Sequence, residues 1–198
     1  QLKIIEKLYE KKEEKFSNIV SKRMPYGIGT DLFNNPSKYG YKEIPNKPRK
    51  NSIKVYGVKG HKGGAKRVIG YIDEQWGKEY PSLNKYKLFH SYAYTHSSTV
   101  PPEIIIGKPG EICTETFLEI GPFKTKNEAE NCLSYIKTKF FRGLLSYNRI
   151  QQNLSRSTFD LIPIQDFNKQ FSDKVLYSKY KLDKKEIEFI EKYVKPMD

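Results

Sequence analysis

A capped amphipathic helix in the second half of the chain constrains the fold most. Thr125 and Glu128 have the spacing of a capping box, in which each side chain accepts a hydrogen bond from the other residue's backbone N–H. Apolar residues then recur at helical spacing, at Ala129, Cys132, Leu133, Ile136, Phe140 and Leu144. The sequence therefore predicts one long helix with a buried face, which needs a second layer to pack against.

That second layer is predicted to be a sheet. Alternating or apolar segments typical of strands occur at 53–56, 67–72, 86–92, 104–106 and 113–120. Residues 159–164 are predicted to return to the sheet, with Pro163 at an edge or a strand end. We expect an α+β fold in which helices pack against a mixed, mainly antiparallel sheet.

The two ends of the chain are predicted to be helical. Residues 2–20 have Ile4, Ile5, Leu8 and Tyr9 on one side, followed by a fully charged run at 10–15. A second capping box, Asp183 with Glu186, opens a final helix that ends at Pro196. Residues 24–50 are rich in Pro, Gly and Asn and predict irregular backbone. We divide the chain into an N-terminal or linker helix (1–22), a main domain (23–170) and a C-terminal helical extension (171–198).

Composition indicates a folded, basic protein. The 198 residues are 37% hydrophobic and 14% aromatic, which is too much apolar material for a disordered chain. Lys and Arg (36) exceed Asp and Glu (23), so the net charge of +13 suits phosphates or an anionic membrane surface. The 15 tyrosines favour nucleic acid over lipid.

Cysteine usage and hydropathy point to a cytoplasmic protein. Cys113 and Cys132 fall in a predicted strand and on an apolar helix face, so we expect buried free thiols rather than a disulfide. No run approaches the roughly 18 apolar residues of a membrane helix, and the start lacks a signal segment. A chain that opens at Gln1 and is at once helical is typical of a fragment of a longer protein.

The densest mixture of glycine and positive charge is the loop from Gly57 to Arg67. It lies between two predicted strands, where glycines let the backbone approach a phosphate. Its candidate DNA-binding residues are Lys59, His61, Lys62, Lys66 and Arg67. The loop does not match a P-loop, because the required order is absent and no helix follows. A flexible solvated hairpin is the alternative.

Two further segments combine aromatic rings with polar groups. Residues 92–99 supply Tyr92, Tyr94 and His96, which suit stacking on bases and hydrogen bonds to phosphates, although an ordinary polar loop explains them as well. Arg23 and Tyr26 follow the first helix and are plausible DNA contacts; a basic helix C-terminus that complements the helix dipole is the alternative.

On the central helix, Tyr135, Lys139 and Arg142 form a stripe beside the apolar face. The functional interpretation is that Lys139 and Arg142 contact the DNA backbone. A solvated flank whose aliphatic stems cover apolar surface is the alternative.

The sequence predicts no catalytic residue and no metal site. Residues 34–37 lack the aromatic that would stack on a flipped base in a methyltransferase. Asp73 with Glu74, and Glu115 with Glu119, are acidic pairs of the kind any chain contains. Histidines at 61, 90 and 96 have no pairing carboxylates or cysteines.

Several motifs together resemble a known class of domain. They are residues 113–116 (Cys-Thr-Glu-Thr), 135–142, 162–167 (Ile-Pro-Ile-Gln-Asp-Phe), Asp173 with 176–177 and Tyr180, and 182–191 ending at Pro196. This pattern resembles the C-terminal target-recognition domain of restriction-modification enzymes, and more distantly the specificity subunits of type I restriction systems.

The resemblance implies sequence-specific recognition of double-stranded DNA. It implies that catalysis lies in an upstream domain of the same polypeptide, a methyltransferase, an endonuclease or both, in the cytoplasm of a prokaryote. No cofactor is expected in this chain, although the parent enzyme would use S-adenosylmethionine, Mg²⁺ or both. A stand-alone nuclease with an unrecognised metal site and an RNA-binding module remain the alternatives.

Overall fold

The strands and helices form an α+β fold, as predicted. The computed structural model describes residues 2–60, 64–95, 98–149 and 151–197. Within them the strands form two three-stranded sheets, where the sequence suggested one. Two hydrophobic clusters accompany them, one between the second sheet and the helices and one around the first sheet.

The first sheet has the order β2-β1-β5. Strand β1 (Ser52–Lys59) pairs antiparallel with β2 (Lys66–Asp73) and parallel with the short β5 (Glu111–Cys113). Alternate residues of β1 are buried, which explains why the alternation predicted this strand correctly. The Phe33 ring lies against Gly57 and Gly70, where an added Cβ would come within 3 Å of it. The irregular region 24–50 thereby covers one face of this sheet.

The second sheet has the order β4-β3-β6 and is antiparallel. It consists of β3 (Tyr86–Ser91), β4 (Ile105–Gly107) and β6 (Phe117–Phe123). The single strand predicted at 113–120 is wrong, because the chain leaves the first sheet after Cys113 and enters the second at Phe117. The Phe117 N–H donates to the Thr114 carbonyl in the intervening turn (3.1 Å).

The predicted central helix is two helices, α3 (Lys126–Lys137) and α4 (Lys139–Asn148). The Thr125–Glu128 capping box at the start of α3 is confirmed. The predicted continuity is wrong, because Thr138 is extended and caps α4 by accepting from Phe141 N (3.1 Å). Asp173 accepts from the next two free N–H groups, those of Lys139 (3.1 Å) and Phe140 (2.8 Å). A local cap and a distant carboxylate thus replace the helical bonds lost at the break.

The described residues also contain the helices α2 (Gln75–Lys78), α5 (Asp173–Lys179) and α6 (Lys184–Tyr193). The Asp183–Glu186 capping box that opens α6 is confirmed. Ile190 and Val194 are buried and Ile187 is partly buried, in the same hydrophobic cluster that α3 and α4 supply. The segment described as an extension therefore belongs to the larger core.

The N-terminal helix is shorter than predicted. Helix α1 is Leu2–Glu10, and a separate 3₁₀ segment follows at Phe16–Ile19. Lys12 has a φ of 48° and Lys15 pairs with Pro163 in an isolated bridge. The helix ends because the charged run 10–15 offers no apolar face to bury, so a continued helix would gain no packing.

Two loop regions differ in how well the sequence predicted them. The irregular character of residues 24–50 is confirmed, with one 3₁₀ segment at Pro36–Tyr39. The strand predicted at 159–164 is wrong. A 3₁₀ segment occupies Arg156–Phe159, and only Pro163 makes a bridge, to Lys15.

Cys113 and Cys132 are free and buried, as predicted, and burial raises the pKa of both thiols. Among the described residues, no helix combines the length and the apolar character that crossing a bilayer requires.

Stability should fall in acid through His90. This side chain is fully buried, its Nδ1 lies 2.9 Å from the Ser91 carbonyl, and Nε2 has no partner among the described residues. Burial, helped by the charges of Arg149 and Arg67, lowers the pKa of His90 from 6.5 to about 4. The unfolded chain therefore binds this proton more tightly than the folded protein does. The contribution of neutral His90 to the free energy of unfolding is fully present above pH 6.5 and falls by about 3 kcal/mol as the pH is lowered to 4.

Urea unfolding at pH 7 and pH 4 measures this loss. Protonation of carboxylates also destabilises the protein in acid, so the reference is the His90→Phe variant. Between pH 7 and pH 4 its free energy of unfolding should fall by about 3 kcal/mol less than that of the wild type. Equal losses in the two proteins would contradict the assignment to His90.

The helix break should depend on the Thr138 cap. Replacing Thr138 with Ala removes the acceptor for Phe141 N and should lower the free energy of unfolding by about 1 kcal/mol. Thr138→Ser keeps the hydroxyl and should retain most of the stability that the cap contributes. Denaturant unfolding of the three proteins measures the difference, and an Ala variant as stable as the wild type would argue against this cap.

Candidate nucleic-acid interface

Cations stand exposed at the end of the β1–β2 hairpin. Lys59 and Lys66 are opposite each other in the strand register, and Arg67 follows. Neither lysine makes an ion pair within the described residues. Two other predicted contacts of this loop, His61 and Lys62, lie outside the described residues, as does His96.

Arg67 connects the hairpin to the second sheet. Its Nη2 donates to Ser91 Oγ (2.9 Å) at the end of β3, and its guanidinium lies 5.5 Å from the centre of the Phe117 ring. Nη1 is 3.8 Å from the carboxylate of the exposed Glu103. These contacts orient the guanidinium while leaving it accessible.

Arg23 stands over Tyr92, the residue that follows Ser91. The guanidinium lies 5.1 Å from the centre of the Tyr92 ring and pairs with the nearly buried carboxylate of Glu115. The Arg23 side chain is nevertheless 63% exposed. A carboxylate and an aromatic ring thus fix the direction of a cation that still faces solvent.

An open groove of about 600 Å³ continues from this point. Lys22, Arg23, Tyr92 and Arg156 line it. Arg156 donates its Nε to the Ser17 carbonyl (2.7 Å), and its terminal nitrogens have no partner within the described chain. The sequence interpretation missed Arg156, because nothing in a Ser-Arg-Ser loop marks it until residues 17 and 156 are brought together.

We call these side chains the basic surface: Lys22, Arg23, Lys59, Lys66, Arg67 and Arg156, with Tyr92 among them. Arg67 contacts Ser91, the chain continues to Tyr92 beneath Arg23, and Tyr92 and Arg23 line the groove with Lys22 and Arg156. Lys59 and Lys66 adjoin Arg67 at the end of the hairpin, on the other face of the paired strands. The predicted contacts Arg67, Arg23 and Tyr92 therefore lie close together.

Tyr26 is not part of this surface, which corrects its predicted role. It is 1% exposed, and its hydroxyl donates to the Glu119 carboxylate beside Ser82. Burial raises the pKa of Tyr26 and of Glu119. Lys87 is buried nearby with its ammonium donating to the Ser82, Leu83 and Lys108 carbonyls, and burial lowers its pKa to about 8. Through these hydrogen bonds, Tyr26 and Lys87 connect the segment around Ser82 to β6 and β3.

The predicted backbone-contacting stripe is also wrong. Tyr135 is fully buried and donates to the Pro163 carbonyl (2.8 Å). Arg142 is 3% exposed and donates to the carbonyls of Lys137, Thr99 and Lys195. Lys139 pairs with Glu191 of α6. The break at Thr138 rotates the second helix relative to the first, so the spacing counted along one helix does not apply.

Tyr94 packs inward, in contrast to Tyr92. The Arg149 guanidinium lies 3.7 Å from the centre of its ring and donates to the Tyr94, Ser98, Gln151 and Gln152 carbonyls. Burial raises the pKa of Tyr94. The pair therefore holds the loop after β3 against the loop after α4.

Within the described ranges, no group of three His, Cys, Asp or Glu side chains is placed to hold a metal ion. Comparisons with protein-family models, with curated proteins and with solved structures find no match to this chain. The case for a function therefore depends on the basic surface and on the sequence motifs.

Arg142 should behave as a core residue. Arg142→Ala would leave three carbonyls without their donor and open a cavity, so we expect a loss of about 3 kcal/mol in the free energy of unfolding. Lys139→Ala should cost less than about 1 kcal/mol, since its ion pair is partly exposed. Thermal and denaturant unfolding measure both, and a stable Arg142→Ala protein would contradict the structural role.

Proposed function

We propose that this chain recognises double-stranded DNA, as the specificity part of a restriction-modification enzyme whose catalytic core is a separate domain of the same polypeptide. The observation that carries the proposal is the basic surface, which gathers cations from three separate parts of the sequence. The motifs that resemble target-recognition domains support the same function. In this proposal the parent is a prokaryotic cytoplasmic enzyme, and any S-adenosylmethionine or Mg²⁺ belongs to its catalytic core.

The cations of the basic surface differ in the contacts they can offer. Lys59, Lys66 and Lys22 are mobile point charges without ion-pair partners in the described chain, which suits phosphates in any register. Arg23 and Arg67 are oriented by Glu115 and Ser91, and an oriented guanidinium suits a directional contact with a phosphate or with the edge of guanine. Affinity should therefore come from the lysines and register from the arginines.

The hairpin cations should set the salt dependence of binding. Lys66→Ala combined with Arg67→Ala removes two phosphate contacts, which should weaken duplex binding at least tenfold and reduce the slope of log K against log salt by about 2. Fluorescence anisotropy of a labelled duplex at several salt concentrations measures both quantities.

The controls separate charge from position and folding. Lys126→Ala with Lys184→Ala removes the same charge from helix positions paired with Glu130 and Glu188, and should change binding less than twofold. Because Arg67 also bonds Ser91, Lys59→Ala with Lys66→Ala provides a second variant that breaks no described contact.

Other outcomes would replace the proposal. Absence of salt-dependent binding to any duplex would overturn it. Tighter binding of structured RNA than of duplex DNA would favour an RNA-binding module. Metal-dependent cleavage of DNA by this chain, lost in Glu115→Gln or Asp73→Asn, would favour a nuclease.

A further inference from the structure

The groove beside Tyr92 has two connected parts of different chemistry. The first is the basic part already described, of about 600 Å³, and the second, of about 580 Å³, is bordered by Asn148, Gln151 and Asn153. Five residues line both parts: Tyr92, Leu154, Ser155, Ser157 and Asp160. One continuous groove therefore has Lys22, Arg23 and Arg156 at one end, and side-chain amides together with Lys15 at the other.

The amide end carries polar groups that the fold does not use. The Gln151 and Asn153 side chains are exposed and have no hydrogen-bond partner within the described chain, and neither does the Tyr92 hydroxyl. The Asn148 amide, by contrast, is held by the Ser157 and Thr158 carbonyls. Free amides donate and accept together, and the Asp160 carboxylate, which lines both parts, accepts. This is the combination that the edge of a nucleobase requires.

The basic end suits a phosphate. Lys22 makes no ion pair within the described residues, and Arg156 commits only its Nε, to the Ser17 carbonyl. Lys22, Arg156 and the Ser155 and Ser157 hydroxyls line this part together with the Asp160 carboxylate, and the cations and hydroxyls can bind the oxygens of one phosphodiester. A phosphate and a base joined by a sugar would therefore span the two ends.

The walls of the groove suit a single base. Tyr92 borders both parts, with Arg23 over its ring, and the half-buried Leu161 supplies apolar surface in the second part. An aromatic side chain accepts any base by stacking. Volumes of this order fit a small molecule or one nucleotide and are far too small for a duplex.

Backbone contacts hold the groove in shape. Leu154 N donates to the Tyr92 carbonyl (2.7 Å), and Arg149 holds the carbonyls of Gln151 and Gln152. Arg156 in turn is fixed to Ser17. A preformed site binds without the entropic cost of ordering its loops.

We propose that this groove holds one extrahelical nucleotide of the bound DNA, with its phosphate between Lys22 and Arg156 and its base against Tyr92, Gln151 and Asn153. The inference rests on the proposed function, since the duplex must first bind the basic surface. Extrusion costs unstacking and unpairing, and this cost is lowest for a base that is already unpaired. The groove should therefore favour DNA with an unpaired nucleotide.

Affinity for a bulged duplex tests the groove. A duplex with one unpaired thymidine should bind at least tenfold more tightly than the same duplex fully paired. Gln151→Ala with Asn153→Ala should reduce this preference to less than threefold, while the affinity for the paired duplex and its salt slope stay unchanged. Gln152→Ala, an amide removed from the adjacent position outside the groove, is the matched control and should keep the full preference.

Photochemical cross-linking tests the position of the base. A bulged duplex with 5-iodo-deoxyuridine as its unpaired nucleotide should cross-link to Tyr92, as identified by mass spectrometry. Tyr92→Phe should retain the cross-link and Tyr92→Ala should lose it, with folding of each variant checked by thermal unfolding.

The outcomes distinguish the two proposals. Salt-dependent binding of paired DNA without any preference for the bulge, or a preference that survives loss of Gln151 and Asn153, overturns the nucleotide site alone. A cross-link only to residues outside the groove also overturns it. Failure of both DNAs to bind overturns the proposed function and the nucleotide site together.

Discussion

The pairing of residues 14–21 with residues 156–164 and with β6 determines how the rest of the structure is arranged. Phe16 N donates to the Ile162 carbonyl (2.7 Å), Ile164 N donates to the Glu14 carbonyl (2.8 Å), and Ser21 N donates to the Glu119 carbonyl (2.8 Å). The Phe16 ring, fully buried, lies among Tyr135, Phe141, Phe159 and Phe167. A short segment thereby binds the helices, the sheet and the loop after α4 together.

The same pairing explains why the basic surface exists. Lys22 and Arg23 follow directly after the segment that β6 holds, and Arg156 is anchored to Ser17 within it. Residues separated by more than a hundred positions in the sequence therefore line one groove. The aromatic cluster around Phe16 therefore positions the candidate site. A change in the packing of Phe16 would displace both the segment that carries Lys22 and Arg23 and the anchor of Arg156.

The features that could be predicted from the sequence are those that local patterns determine. The strands β1, β2 and β3 and the capping boxes at Thr125 and Asp183 depend on neighbours within a few residues, and all are confirmed. The half-buried alternation expected of β3 is wrong, because Lys87 to Ser91 are buried on both faces of the strand. The break at Thr138 could not be read in this way, because apolar spacing continues through it and the carboxylate that stabilises it, Asp173, lies on another helix. The predicted stripe failed for this reason, and Arg156 was missed because its partner is Ser17.

Net charge does not distinguish the cations that stabilise the fold from those that face solvent. Lys87, Arg142 and Arg149 are buried and bind backbone carbonyls, so part of the positive charge stabilises the fold. Burial of these cations is tolerated because carbonyl oxygens replace water around them. The sequence alone does not distinguish these buried cations from Lys59 and Lys66, which are also basic residues but have no partner in the described chain.

In the proposed complex with DNA, the two ends of the basic surface have different roles. The hairpin cations project from the end of a two-stranded pairing, and long lysine side chains there can follow phosphates whatever the sequence. The backbone around the groove is held by contacts of Arg149, Arg156 and Leu154, so its amide side chains project from constant positions. Discrimination between bases requires donors and acceptors at defined positions beside the base. If the hairpin supplies affinity, the groove is therefore the part of this surface best suited to supply selectivity.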